Sequence, residues 1–190
     1  MRKLVLACGI LVGVVSVGMG AMSEEELRRA EHNCFEYEDK SACYALINNG
    51  LKSVEQCYIE NGKGNCVVVG VVYYLAGRYR EAIPYFEKAI ALGDNRGYIL
   101  LGKTYYFSQD YYNAKKYYEI VCNKLQARGS CYNLGNMYYN GEGVRQDYHK
   151  AVELYKKACD MKYADACNNL GVLYGNGQGV RQNSSTAKQY

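Results

Sequence analysis

The 190-residue sequence has no tryptophan, three phenylalanines, one proline and two histidines. The histidines, His32 and His149, stand far apart in polar helical patterns and read as surface residues, so no histidine-based site can be assembled from them. No His-Glu-x-x-His, glycine-rich phosphate loop or Gly-x-Ser-x-Gly occurs. Charge excess is small, 23 basic against 19 acidic residues for a net of +4, and Arg2 and Lys3 of a removable leader supply part of it. That excludes the clustered basic face that nucleic acid or an anionic membrane requires. The longest apolar run, Leu4 to Val17, is too short for a membrane span. The single proline and the lack of a three-residue glycine period exclude collagen-like classes. Hydrophobic residues at 49% and charged residues at 22% exclude a disordered chain. No cofactor is expected.

What is abundant is tyrosine, with 22 residues, and cysteine, with nine. Met1–Arg2–Lys3, the apolar run and the small residues Gly18, Gly20 and Ala21 have the layout of a secretory signal segment, expected over residues 1–22 with cleavage between Gly20 and Met22. Leu6–Ala7–Cys8 partly matches a lipobox, but the apolar stretch before Cys8 is short and the run continues past it. Ser23 followed by Glu26 reads as a capping box that opens the first helix. The mature protein is expected to be secreted or periplasmic.

With Cys8 set aside, eight cysteines remain in four pairs: Cys34/Cys43, Cys57/Cys66, Cys122/Cys131 and Cys159/Cys167, separated by 9, 9, 9 and 8 residues. Within one helix such a gap spans roughly 12–13.5 Å, whereas a disulfide needs Cα atoms within about 7 Å. Each pair must therefore straddle a turn if it is bonded, one cysteine ending a helix and the other beginning the next. Structural disulfides in an oxidising compartment are the preferred reading. Free thiols are the alternative, along with a zinc site, whose usual gaps of about two to four residues none of the pairs has.

Internal repetition organises the rest. Gly141–Glu142–Gly143–Val144–Arg145–Gln146–Asp147 returns 36 residues later as Gly177–Gln178–Gly179–Val180–Arg181–Gln182–Asn183, and Cys131–Tyr132–Asn133–Leu134–Gly135 returns as Cys167–Asn168–Asn169–Leu170–Gly171. Gly70, Gly102, Gly135 and Gly171 recur at helix-hairpin intervals, with Tyr73, Tyr105, Tyr138 and Tyr174 near one turn on. Ala82, Ala114, Ala151 and Ala187 centre the amphipathic second helices. The glycines let paired helices approach closely, at about 1 kcal/mol each in helix propensity, and the tyrosines fill the space between. Gly141–Glu–Gly143 and Gly177–Gln–Gly179 are hairpin turns, and Pro84 is expected near a helix start, where its missing N–H matters little.

Tyr74–Leu–Ala–Gly77–Arg–Tyr79–Arg–Glu–Ala82, continuing to Ala89, resembles a tetratricopeptide repeat. The Ala–x7–Cys and Asn–Leu–Gly–x2–Tyr–x2–Gly–x–Gly–Val pieces from Ala114 onward resemble Sel-one-like repeats. The helix-ending cysteines resemble those of the cysteine-rich secreted repeat proteins of Helicobacter and its relatives. Residues 57–190 carry this likeness; 34–56 share only the cysteine pairs. The fold class is all-α, an α-α superhelix (solenoid) of about four disulfide-stapled helix-turn-helix repeats. Its parts are a short N-terminal unit (23–56), two tetratricopeptide-like units (57–121) and Sel-one-like units (122–190), the last cut within its second helix after about two turns and so leaving an exposed apolar edge. Ile90 and Tyr98 stand where one cysteine pair would be, and an apolar contact is expected to replace that staple.

Such stacks present a concave face built from the first helix of each hairpin. Taking the small residue as anchor, Ile99, Lys103 and Tyr106, then Tyr132, Asn136 and Tyr139, then Asn168 face it, with Arg96 at its edge. Asparagine pairs with peptide backbone, tyrosine gives rigid contact area, and Lys103 with Arg96 suits a carboxylate. The expected function is recognition of an extended peptide or partner protein; the bland reading is that these are solvated surface residues. Some of the cysteine-rich relatives are classed as β-lactamases or penicillin binders, so the resemblance implies a β-lactam ligand as the alternative. The nearest match to its machinery, Ser185–Thr–Ala–Lys188, lacks the Ser-Asp-Asn and Lys-Thr-Gly that should follow and coincides with a helix start.

Overall fold

The computed structural model describes residues 23–48, 59–60, 63–64 and 66–190. The expected signal segment, with Cys8, and Cys57 lie outside the described residues. Among the described residues are ten helices and one two-residue β-ladder, arranged as two compact units divided in sequence between Thr104 and Tyr105.

The first unit contains α1 (Glu24–Glu36), α2 (Lys40–Asn48), β1 (Ile59–Glu60), β2 (Lys63–Gly64), α3 (Cys66–Leu75), α4 (Tyr79–Ala91) and most of α5 (Arg96–Phe107). Helix α1 opens on the expected capping box: the Glu26 N–H donates to Ser23 Oγ at 3.3 Å, and the Ser23 N–H donates to Glu26 Oε2 at 2.8 Å. Its apolar face, Leu27, Ala30 and Cys34, packs with Ala42, Cys43 and Leu46 of α2 and with Val72 and Ala76. Helices α3 and α4 close on each other at Gly70, where a β-carbon would stand 2.6 Å from the Phe86 ring. Pro84 is a correction to the sequence reading. It is the sixth residue of α4, inside the helix, so the Arg80 carbonyl lacks its usual donor four residues on; burial of Ala82, Tyr85, Phe86 and Ala89 along α4 outweighs that loss. The β1–β2 ladder, antiparallel with Ile59 opposite Gly64, was not anticipated. Its signal was there: Asn61–Gly62 lies between the strands in sequence, the dipeptide preferred in two-residue hairpins.

The second unit contains the end of α5, then α6 (Tyr111–Lys124), α7 (Arg128–Asn140), α8 (Tyr148–Asp160), α9 (Ala164–Asn176) and α10 (Ser184–Ala187). Its core runs through Ala114, Tyr118, Leu134, Met137, Ala151, Tyr155, Ala158, Leu170 and Leu173, all nearly inaccessible to solvent. The small residue at each hairpin again admits its neighbour: Tyr155 of α8 crosses Gly135 of α7. Helix α10 is shorter than the two turns expected, four residues, none of them buried.

Disulfides join Cys34 to Cys43, Cys122 to Cys131 and Cys159 to Cys167, with Cα separations of 4.9, 4.8 and 4.8 Å. Each links the last turn of one helix to the first turns of the next, and Cys66 is also disulfide-bonded. Each of the three stapled turns holds one non-glycine residue in the left-handed region: Glu38, Gln126 and Lys162, at φ 52°, 48° and 64°. In the turn without a staple the corresponding residue is Gly93, at φ 87°. There Ile90 packs onto Gly97, beside Tyr98.

Candidate partner-binding site

Residues four and three apart on a helix share a face, so Tyr132, Asn136 and Tyr139 lie together on α7. Thirty-six residues on, Asn168, Val172 and Gly175 take the same positions on α9. Behind this face runs Tyr155. Gly135 lets its ring through, and its hydroxyl donates to Asn136 Oδ1 at 2.6 Å. Burial pushes the Tyr155 phenol well above its ordinary value, a shift that a hydrogen bond from Asn169 of α9 opposes. The Tyr132 ring sits 5.8 Å from that of Tyr155 and 5.0 Å from that of Tyr163, and Tyr139 meets Tyr148 edge-on at 5.4 Å. The face is thus held in place from beneath by a buried aromatic whose polar tip is satisfied.

At the end of α7 the turn Gly141–Glu142–Gly143 brings a carboxylate to the same neighbourhood. Gly141, at φ 77°, ends the helix in the left-handed conformation. Gly143, at φ 65°, lies against Tyr111 so closely that any β-carbon would collide with it. The turn is braced by Gln146, whose Nε2 donates to the Tyr139 carbonyl at 2.9 Å; Gln182 does the same to Gly175 at 2.8 Å in the next repeat. The Tyr106 hydroxyl donates to Glu142 Oε2 at 2.8 Å, and Asn140 Nδ2 to Oε1 at 3.3 Å. Burial, then the hydrogen bond and charge of Glu142, push the Tyr106 phenol up to about 12.

The residues singled out from the sequence divide between the units. Arg96 and Lys103 belong to the first. The Arg96 guanidinium already holds a carboxylate of its own chain, Asp94, through contacts of 2.9 and 2.6 Å; Lys103 is exposed. In the second unit Tyr106, Tyr132, Asn136 and Tyr139 are half-buried and Asn168 is exposed. Asn136 is engaged internally with Tyr155, so its side chain supports the face as well as lining it. Sequence reasoning passed over Glu142, which was read as part of a turn, together with Asn169 and the half-exposed Val172. The 36-residue period marks Val172 as the counterpart of Asn136, and that signal could have found it.

Ser185 and Lys188 are both exposed, Lys188 just past the end of α10, and no hydrogen bond joins them. His32 and His149 are exposed as well. Among the described residues no group of three or more His, Cys, Asp or Glu side chains could hold a metal ion, and no helix is long and apolar enough to cross a membrane.

Stacked helical hairpins with a recurring small residue and aromatic define the class of α-α repeat scaffolds. The Sel1 repeat model matches residues 129–163 and 164–190, and tetratricopeptide repeat models match 66–96 and 96–121. These matches together span more than half of the chain, which thus carries both Sel1 and tetratricopeptide repeats. It is 45% identical over 57 residues to HcpC of Helicobacter pylori, whose name gives it, provisionally, as a beta-lactamase; the match covers 30% of this chain and 19% of HcpC. The chain thus spans about a fifth of that relative. The fold is similar to that of a protective antigen of uropathogenic Escherichia coli strains that displays an SLR fold, with a TM-score of 0.59 and 20% identity over 86% of this chain and 31% of the antigen. Helicobacter pylori cysteine rich protein B is 30% identical over 59% of this chain and 82% of its own, with a TM-score of 0.45.

Proposed function

We propose that the protein is an exported repeat scaffold that binds an extended peptide or a segment of a partner protein across the α7–α9 face of its second unit. The observation that carries this reading is the face itself: tyrosine rings and asparagine amides, half-exposed or exposed, on two successive first helices, fixed from behind by Tyr155. Rigid aromatics give contact area at little entropic expense, and amides answer the alternating donors and acceptors of an extended backbone. Export is supported by the leader-like start of the sequence and by disulfides that persist only in an oxidising compartment. β-Lactam hydrolysis or penicillin binding has no support beyond the name of a relative that this chain overlaps over a fifth of its length.

The test is selection of a random peptide library on the oxidised protein, followed by calorimetric titration of enriched peptides against the native chain and an Asn168→Ala variant. Asn168 is the cleanest position to change, because it is exposed and holds nothing in place. Enriched peptides that bind the native chain and lose affinity in the variant support the reading; a library with no enrichment contradicts it. A chromogenic cephalosporin, incubated in parallel and followed by turnover and intact mass, is expected to give neither product nor adduct.

A further inference from the structure

We propose that the Glu142 carboxylate receives a cationic side chain, arginine in preference to lysine, from the peptide bound on the α7–α9 face; this rests on the reading above and names what that face selects. The other acidic residues of the second unit all have an evident local use. Asp110 and Asp147 cap α6 and α8 through backbone N–H bonds. Glu119, Glu153 and Asp160 pair with Lys115, Lys150 and Lys156. Asp165 stands in the first turn of α9, the end at which a helix dipole favours negative charge.

Glu142 differs in both respects. It follows Gly141 at the C-terminal end of α7, where the helix dipole and the free carbonyls disfavour an anion, and no lysine or arginine pairs with it among the described residues. The equivalent position one repeat on is the neutral Gln178, which keeps the same neighbour, since Asn176 Nδ2 donates to Gln178 Oε1 at 3.3 Å just as Asn140 does to Glu142. The turn therefore needs no charge at this place. A cation beside Glu142 would offset both the carboxylate and the helix end.

The surroundings favour a guanidinium. A carboxylate offers about four acceptor positions; Tyr106 takes one on Oε2 and Asn140 one on Oε1, leaving one on each oxygen for a two-pronged donor. Half-buried Tyr106, bonded to the carboxylate, supplies aromatic surface beside it, on which the planar group of arginine stacks better than an ammonium does. Among the described residues no group of three or more His, Cys, Asp or Glu side chains could hold a metal ion, so this carboxylate is a poor metal site.

The experiment titrates N-acetyl-arginine methylamide, and its neutral near-isostere N-acetyl-citrulline methylamide, into the ¹⁵N-labelled oxidised protein. The expected result is saturable shifts at the amides of Gly141, Gly143 and Tyr106 with the arginine probe, weaker by roughly tenfold or more with citrulline or in a Glu142→Gln variant. That variant retains the fold, because Gln178 already occupies the equivalent turn. Equal binding of the two probes, unchanged binding in Glu142→Gln, or shifts confined to other residues would overturn the proposal. Library peptides that bind the native and Glu142→Gln proteins equally would overturn it while leaving the peptide-binding face intact. A protein that takes neither probe nor any library peptide would overturn both.

Discussion

Tyr155 and Gly135 are fitted to one another: the ring Cε1 lies 2.7 Å from the point where a β-carbon on residue 135 would stand, while the hydroxyl is fixed by Asn136 beyond it. A ring tethered at its tip cannot retreat. Gly135→Ala is therefore expected to lower stability by about 1–3 kcal/mol. On the same helix Gly129 has nothing within 4 Å of its β-carbon position, so Gly129→Ala is expected to raise stability by a few tenths to about 1 kcal/mol. Urea denaturation of the two variants checks both signs, and a loss at both positions would argue against the close approach.

The stapled turns carry residues that resist their own backbone conformation. A side chain at positive φ costs about 1–2 kcal/mol, and glycine recovers part of this after its greater freedom in the unfolded chain is counted. Lys162→Gly, at φ 64°, is expected to gain about 0.5–1 kcal/mol, and Gly93→Ala, at φ 87° with open space around it, to lose about 1 kcal/mol. Thermal unfolding of the two oxidised variants provides the comparison. Gln109, at φ 64°, adopts the conformation without a staple, helped by the Asp110 N–H bond to the Tyr105 carbonyl at 2.9 Å.

Replacing both Cys122 and Cys131 by alanine opens a loop of about ten residues. The chain-entropy account assigns such a closure about 2–3 kcal/mol, and the loss of two fully buried sulfurs adds to it. The double variant is expected to unfold at clearly lower denaturant concentration than the native oxidised protein, and to be less sensitive to added reductant.

Glu31 gives the first unit a pH dependence. The side chain is 3% exposed, and burial lifts its pKa from 4.5 to about 7, against the opposing charge of Arg28. The folded state thus keeps a proton that the unfolded state has released. The stability of the neutral form is fully present below pH 4.5 and is lost as pH rises to about 7, by roughly 2–3 kcal/mol. Glu31→Gln is expected to flatten this slope and to be the more stable protein at pH 7.5. Melting temperatures between pH 4.5 and 8 check it, and a native slope of the opposite sign would refute the assignment.

Much of the fold was legible because repetition turns weak signals into strong ones. One glycine in a helix says little; Gly135 and Gly171 at a fixed period, each followed by tyrosine, announce a close helix crossing. Cysteine gaps of eight or nine, too long for one helical span, located the turns. Left-handed Glu38, Gln126 and Lys162 were not legible, since none of these residue types signals positive φ. Pro84 misled because its neighbours carry the helix start back to Tyr79, more than a turn before it. The candidate face was legible as a register and not as a set of contacts: periodicity gave Tyr132, Asn136 and Tyr139, but that Asn136 is held by Tyr155, and that Glu142 returns toward Tyr106 from 36 residues away, depends on packing.

The most direct test of recognition along the first helices is hydrogen–deuterium exchange of the oxidised protein with and without a selected peptide. The account predicts slowed exchange over Tyr132–Asn140, Gly141–Gly143 and Asn168–Gly175, with α8 around Lys150–Lys157 unchanged. Protection centred on α8, with the α7 and α9 segments unaffected, would contradict it.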